Sequence, residues 1–287
     1  MNTSPTAPNE THIEPAHAQQ VREGQRFKFG ANWARFLRLL DERRIQQAEK
    51  SLVEMLERED LSGLSFLDAG SGSGLFSLAA RRLGATVTSV DFDPQSVACT
   101  RELRRRYFPD DDNWKVLEGS VLDAALLGSL GTFDVVYSWG VLHHTGDMWR
   151  AIDLTQRAVK PGGQYFIALY NDQGMRSRVW AGLKRAYCSG FVGRIGVSAI
   201  CIPYFVITRL ISDVVRLRNP IAHYRDYHRN RGMSVVRDWV DWLGGYPFEV
   251  ASPAATFDFV RARGFRLDRL VSTLGSGCNE FVFRRER

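Results

Sequence analysis

Between Phe66 and Phe76 the chain reads Phe-Leu-Asp-Ala-Gly-Ser-Gly-Ser-Gly-Leu-Phe, an apolar strand that runs directly into glycines at 70, 72 and 74. Positions without side chains let a backbone turn sharply and let a ligand come close to it. An amphipathic stretch over 75–83 follows, and then a second strand, Thr86–Asp91, that ends in an acid. Strand, glycine turn, helix and a second strand closing on a carboxylate together form a nucleoside-binding half-unit. The turn admits the ligand, and the acid accepts hydrogen bonds from ribose hydroxyls.

A dinucleotide is the commonest occupant of such a turn, and its fingerprint is Gly-x-Gly-x-x-Gly. Counted from Gly70 the third glycine slot is Leu75, and counted from Gly72 it is Ser77. Asp68 stands ahead of the first glycine, where a carboxylate repels a pyrophosphate and attracts a cation. S-adenosyl-L-methionine has an adenosine at one end and ammonium and sulfonium groups at the other, which suits this pattern. A nicotinamide-dependent oxidoreductase and a non-catalytic binding module stand as the alternatives from other classes.

On Asp68–Gly74, Asp91, the stretch Glu118–Asp123 and the run Phe133–Thr145, the chain resembles the class I S-adenosylmethionine-dependent methyltransferases, in their small-molecule, ubiquinone-biosynthesis-like branch. The likeness covers roughly residues 60–170 and resumes near 250. It implies a Rossmann-like, doubly wound, seven-stranded mixed sheet with an antiparallel last strand and a helical insertion. It also implies cofactor contacts from Asp68, Gly70, Ser71, Gly72 and Gly74, a ribose contact from Asp91, and an apolar flank for the adenine from Phe92. Many relatives carry an acid where this chain has Ser120, so Val121 and Asp123 stand as the other sources of the adenine contact. Ser138 and Trp139 close the fourth strand at the edge where the transferred methyl should lie.

His143 and His144 follow directly. Histidine titrates near neutrality, so either could take a proton from an attacking hydroxyl, His143 being preferred; the bland alternative is a structural hydrogen bond. Relatives often place Glu before His in this loop. A histidine at 143 departs from that pattern, and no metal is expected. Tyr170 and Asn171, after the fifth strand, point toward an acceptor pocket on the same topology. The expected reaction moves a methyl group to a small organic acceptor, a hydroxyl on a lipophilic or aromatic metabolite. A membrane-associated lipid or quinone, or a nucleic acid, is the second reading of the acceptor.

Four cysteines at 99, 188, 201 and 278 lack metal-finger spacing and read as reduced thiols in a cytoplasmic chain. The net charge of +6 is concentrated between Gly174 and Arg231, with eleven Arg or Lys against two Asp. The aromatics there form no RNA-binding pattern, which disfavours nucleic acid. Residues 1–26 read as a disordered tail, 27–171 as a cover helix and the cofactor-binding core, 172–250 as a helical insertion or lid, and 251–287 as a helix and hairpin that complete the core. A single cover helix is expected over Asn32–Arg58, and Phe29, Trp33 or Phe36 should contribute to a lid on the cofactor. Asp147 is the expected N-cap of a helix running to Val159. Within the insertion, Ile195–Thr208 is fourteen uncharged residues. That is short of the about 20 needed to span a bilayer, so it reads as a lid or as an interfacial helix over 191–215 in peripheral membrane contact.

Overall fold

The computed structural model describes residues 16–215, 242–275 and 277–286. Seven strands lie in one sheet: β1 (Ser65–Ala69), β2 (Thr86–Asp91), β3 (Trp114–Glu118), β4 (Phe133–Trp139), β5 (Val159–Tyr170), β6 (Phe265–Val271) and β7 (Cys278–Arg285). Their order is β3-β2-β1-β4-β5-β7-β6. β1 to β5 are parallel, and β7 runs antiparallel between β5 and β6. The doubly wound mixed sheet read from the sequence is the architecture observed.

Both faces of the sheet are covered, which explains why its inner strands read as unbroken apolar runs rather than as an alternation. Phe66, Val87, Val135 and Phe166 turn to one face. There they meet α3 (Glu42–Leu56), α4 (Leu75–Arg82) and α5 (Pro94–Tyr107) through Ile45, Leu52, Leu78 and Leu103. Leu67, Val136, Ile167 and Phe281 turn to the other face. They meet α6 (Ala124–Leu130), α7 (Met148–Arg157) and α10 (Pro253–Arg261) through Leu127, Ile152 and Val260.

Several elements depart from the sequence reading. Residues 16–22, expected to be disordered, form helix α1 (Ala16–Arg22). The expected helix over 32–58 is two helices, α2 (Gly30–Phe36) and α3. Asp41 lies between them in an extended conformation and accepts from the Arg44 N–H, so α3 starts afresh at a capped end. Asp147 stands at the N-cap of α7 without a side-chain bond, and the Met148 N–H is instead received by the Glu249 carboxylate at 3.0 Å. Helix α6 was not anticipated. β5 starts at Val159, ahead of the Pro161–Gly163 turn, which the sheet absorbs as a register shift against β4.

The insertion contains α8 (Met175–Cys188) and α9 (Phe191–Val215). One side of α9 packs on α8 through Val197 and Cys201 against Tyr187, with Phe205 stacked 5.8 Å from Trp180. The segment expected over 191–215 is one helix along its whole length, longer than the fourteen uncharged residues at its centre. The helix has 25 residues, and Phe191–Asp213 is long and apolar enough to cross a membrane by length and composition. The expectations for residues 1–15 and for the part of the insertion over 216–241 fall outside the described residues.

Candidate cofactor and acceptor site

The site forms where β1, β2, β4 and β5 end. Gly70, Gly72 and Gly74 all have positive φ, at 96°, 54° and 82°. A side chain on any of them would be strained, and at Gly70 and Gly74 it would also collide. A Cβ at Gly70 would lie 2.3 Å from the Val141 side chain, and one at Gly74 would lie 2.8 Å from the Thr100 Cα. Gly72 faces the Trp33 indole, 3.1 Å from where its Cβ would be. The turn is pinned from below by the N–H groups of Gly70 and Ser71, both bonded to the Val90 carbonyl. The Ser71 hydroxyl meets that of Thr100 at 3.0 Å.

Two acids flank this cradle, Asp68 buried and Asp91 half-buried. Asp91 accepts from the Gly72 N–H at 2.8 Å and from the Asp93 N–H at 2.9 Å, and burial lifts its pKa to about 6. A carboxylate bonded to two backbone N–H groups still has lone pairs free for hydroxyl donors. Asp68 is deeper, receives the Ser77 hydroxyl at 2.5 Å, and is pushed by burial to about 7. It underpins α4 and faces the turn from beneath.

The remaining residues expected at the cofactor divide by what their side chains already do. Ser120 Oγ receives the Leu122 N–H, and Asp123 caps α6 through the N–H groups of Ala125 and Leu126, so both side chains hold the loop that presents Val121. Ser138 donates to the Ala69 carbonyl at 2.6 Å and ties the ends of β4 and β1 together. Trp139 is exposed at the rim. Phe92 packs edge-on to His17 of α1, with the Arg26 guanidinium over its ring at 5.1 Å.

Arg26 anchors the N-terminal segment across the site. It reaches the carbonyls of His144 at 3.0 Å and Thr145 at 3.3 Å, and its Nε donates to Gln20. Nearby, Asp93 receives the Gly30 N–H at 2.8 Å and lies 3.5 Å from His17 Nε2. The segment from α1 to α2 therefore lies over the glycine turn and the end of β2, with Trp33 directly on the turn.

Beyond β4 the chain forms an aromatic cluster. His143 is wholly buried, 4.0 Å from the Tyr170 ring and 4.5 Å from the His144 ring. Phe29 stands 5.2 Å from His144, and Phe248 stands 5.3 Å from Tyr170. His144 Nδ1 meets the Pro247 carbonyl at 2.6 Å, so Nδ1 carries the proton and Nε2 keeps its lone pair. His143 Nδ1 faces the Tyr170 N–H at 3.4 Å, while its buried Nε2 has no partner. Burial drives the His144 pKa down to about 3 and that of His143 well below its ordinary value, with the nearby Lys184 charge pushing both the same way. Asn171 is turned away; its amide bonds the carbonyls of Thr273 and Gly275 and holds the C-terminal hairpin.

Residues 67–167 match a methyltransferase domain family. The match runs from β1 into β5, about a third of the chain. A ubiquinone biosynthesis O-methyltransferase of Methylocella silvestris is 33% identical over 134 residues, 47% of this chain and 50% of that protein. One from Xanthomonas oryzae pv. oryzae is 36% identical over 114 residues, 40% and 46% of the two chains. The chain thus spans about half the length of the curated relatives it matches. The solved magnesium protoporphyrin IX methyltransferase of Synechocystis, with bound SAH, is similar at TM-score 0.50 and 15% identity over 84% of this chain and 83% of that one. An O-methyltransferase family protein from Burkholderia thailandensis aligns at TM-score 0.51 and 14% identity, over 84% of this chain and 57% of that one. At such identity these two show the fold alone.

The site also gathers residues that the sequence did not reveal. Arg26 and His17 sit in a stretch without clear periodicity, and Glu249 acts across about a hundred residues of chain. Lys184 did leave a signal. It shares the helical spacing of Ser177, Trp180 and Tyr187, so a lysine falls on the buried stripe of α8. No cluster of metal-ligating side chains occurs among the described residues.

Proposed function

We propose that the chain is an S-adenosyl-L-methionine-dependent methyltransferase that moves a methyl group to a hydroxyl of a small lipophilic or aromatic acceptor. The observation that carries this reading is the turn of three positive-φ glycines beneath Asp91, whose free lone pairs suit a pair of ribose hydroxyls. The O-methyltransferase relatives support the hydroxyl acceptor. The missing third glycine and Asp68 weigh against a nicotinamide cofactor, and the complete motif set weighs against a non-catalytic module.

When bound, the sulfonium cofactor supplies an already activated methyl group. The protein's work is to align the acceptor with it and to keep water out, which can remove on the order of 7–11 kcal/mol of barrier. In this reading Asp91 holds the ribose, Phe92 and Arg26 flank the adenine, and Trp33 covers the turn. Ser138 and Ser71 keep the strand ends in register, and Trp139 guards the rim. His143 and His144 border the acceptor oxygen, while Phe29, Tyr170 and Phe248 supply ring faces for a flat apolar acceptor.

The exposed side of α9, with Ile200 at 69% and Val215 at 76% exposure, favours an acceptor drawn from a membrane surface. Exposed Arg176, Arg178, Arg185 and Arg194 would meet anionic headgroups. Calorimetric titration with S-adenosylmethionine and with NAD tests the central reading. Micromolar binding of the first, absence of the second, and at least a hundredfold loss in Asp91→Ala are expected, because two hydrogen bonds to a charged group vanish. Tight NAD binding would sink it.

A further inference from the structure

Lys184 is 1% exposed, on a helix outside the common core, and its amine lies against Phe248, one of the rings grouped beyond β4. It donates to the Trp242 carbonyl. It also lies 4.1 Å from the centre of the Trp242 ring and 4.9 Å from that of Phe248. Gly245 packs between this amine and the His144 ring; a Cβ there would lie 3.5 Å from Nζ and 3.3 Å from His144 Cε1. Among the described residues no carboxylate pairs with Lys184. Burial makes the ammonium form costly, which favours the neutral amine or an ammonium held against an anion.

We propose that Lys184 takes the hydroxyl proton of the acceptor and holds the resulting oxyanion, and therefore that the acceptor is a phenol-type hydroxyl compound. This rests on the methyltransferase reading above. The lysine lone pair takes the proton, and the O–H bonding electrons stay on oxygen. That oxygen forms the O–CH3 bond as the S–CH3 bond of the sulfonium donor breaks, its electron pair passing to sulfur. The ammonium then returns its proton to water.

The choice of lysine over the histidines follows from magnitudes. Burial lowers the Lys184 pKa to about 7, where a general base works best at neutral pH. A phenol of pKa about 10 transfers its proton to such an amine against an equilibrium factor of about 10³. The same transfer to His144, at about 3, is opposed by about 10⁷. For an aliphatic hydroxyl, as acidic as water at pKa about 15.7, the transfer to Lys184 is opposed by about 10⁹, which selects the phenol class.

The groups around the amine leave this ordering intact. His143 and His144 from the loop after β4 are held neutral by burial. Tyr170 at the end of β5 is raised by burial and stays protonated. Cys188, one turn along α8, is raised by burial too. From the other elements, Arg26 is engaged on the His144 and Thr145 carbonyls, and Glu249 is turned to the Met148 N–H. On α9, Arg194 lies over the Tyr187 ring, and Asp213 is buried and has an interaction of its own.

The chain has only five lysines, so carbon-13 labelling of lysine side chains gives a resolvable NMR spectrum. The experiment uses the full chain with S-adenosylhomocysteine bound, the Lys184 signal being the one lost in Lys184→Met. That signal is expected to titrate near pH 7. On saturation with 4-nitrocatechol it should shift to the ammonium form while the probe shows its ionised absorbance band, and the variant should bind the ionised probe at least tenfold more weakly. A lysine that stays ammonium to pH 10, a signal indifferent to the probe, or a variant that binds the ionised probe as wild type does would overturn the proposal. Calorimetry of S-adenosylhomocysteine on the same samples separates the two readings: no binding means the methyltransferase reading fails, and binding with an unresponsive lysine means this one alone does.

Discussion

Asp91 ends β2 with both oxygens on backbone N–H groups, and burial still lifts its pKa to about 6. Its pKa is raised above the unfolded value near 3.8, so the folded state holds more protons between pH 3.8 and 6. Ionising it therefore weakens the apo fold as pH rises through that window. Ligand binding works the other way, because ribose hydroxyls need the carboxylate. Affinity for S-adenosylmethionine should fall about tenfold per unit below pH 6 and level off above it, as calorimetry from pH 5 to 8 would read. A flat profile would mean that Asp91 does not touch the ligand. At Gly70, substitution by Ala combines φ 96° with a Cβ 2.3 Å from Val141. The strain alone is about 1–3 kcal/mol, so a lower melting temperature together with lost cofactor binding is expected.

Among the elements, α9 and α7 show how far local reading carries. The sequence revealed an apolar stretch at α9, but its length depended on tolerating Pro203 and the flanking charges inside one helix. Tertiary packing against α8 then left the opposite side of the helix bare. Replacing Ile200, Ile207 and Ile211 by Gln should cut retention on anionic phospholipid vesicles by at least tenfold. These side chains are exposed, so stability should stay within about 0.5 kcal/mol of wild type. Unchanged vesicle binding would rule out this helix as the contact. At α7 the cap comes from Glu249 rather than from its neighbour Asp147, and Glu249→Ala should cost about 1 kcal/mol in chemical denaturation.

At the scale of the whole molecule, Arg26 ties the N-terminal cover to the loop after β4 while facing Asp91 and Asp93. Removing it leaves two carbonyls short of a charged donor and two acids short of a counter-charge. Arg26→Ala should cost about 2–4 kcal/mol, or roughly 5–10 °C of melting temperature, and should speed proteolysis of residues 16–36. A variant that melts like wild type would show that the cover is held by apolar packing alone.

The order of strands and helices, the glycine turn and the acid on β2 could be read from the chain because each is a local matter. Apolar runs report strands, and three glycines report a backbone that side chains forbid. The hairpin after Phe265 was legible for the same reason, as alternation around a turn. The sequence could not show which distant groups would meet. Glu249 at the start of α7, Arg26 over Phe92, and Lys184 beside His144 are pairings made only when separate elements close on one sheet edge. Burial then sets their chemistry, moving a lysine to about 7 and a histidine to about 3 through desolvation that no neighbour in sequence imposes.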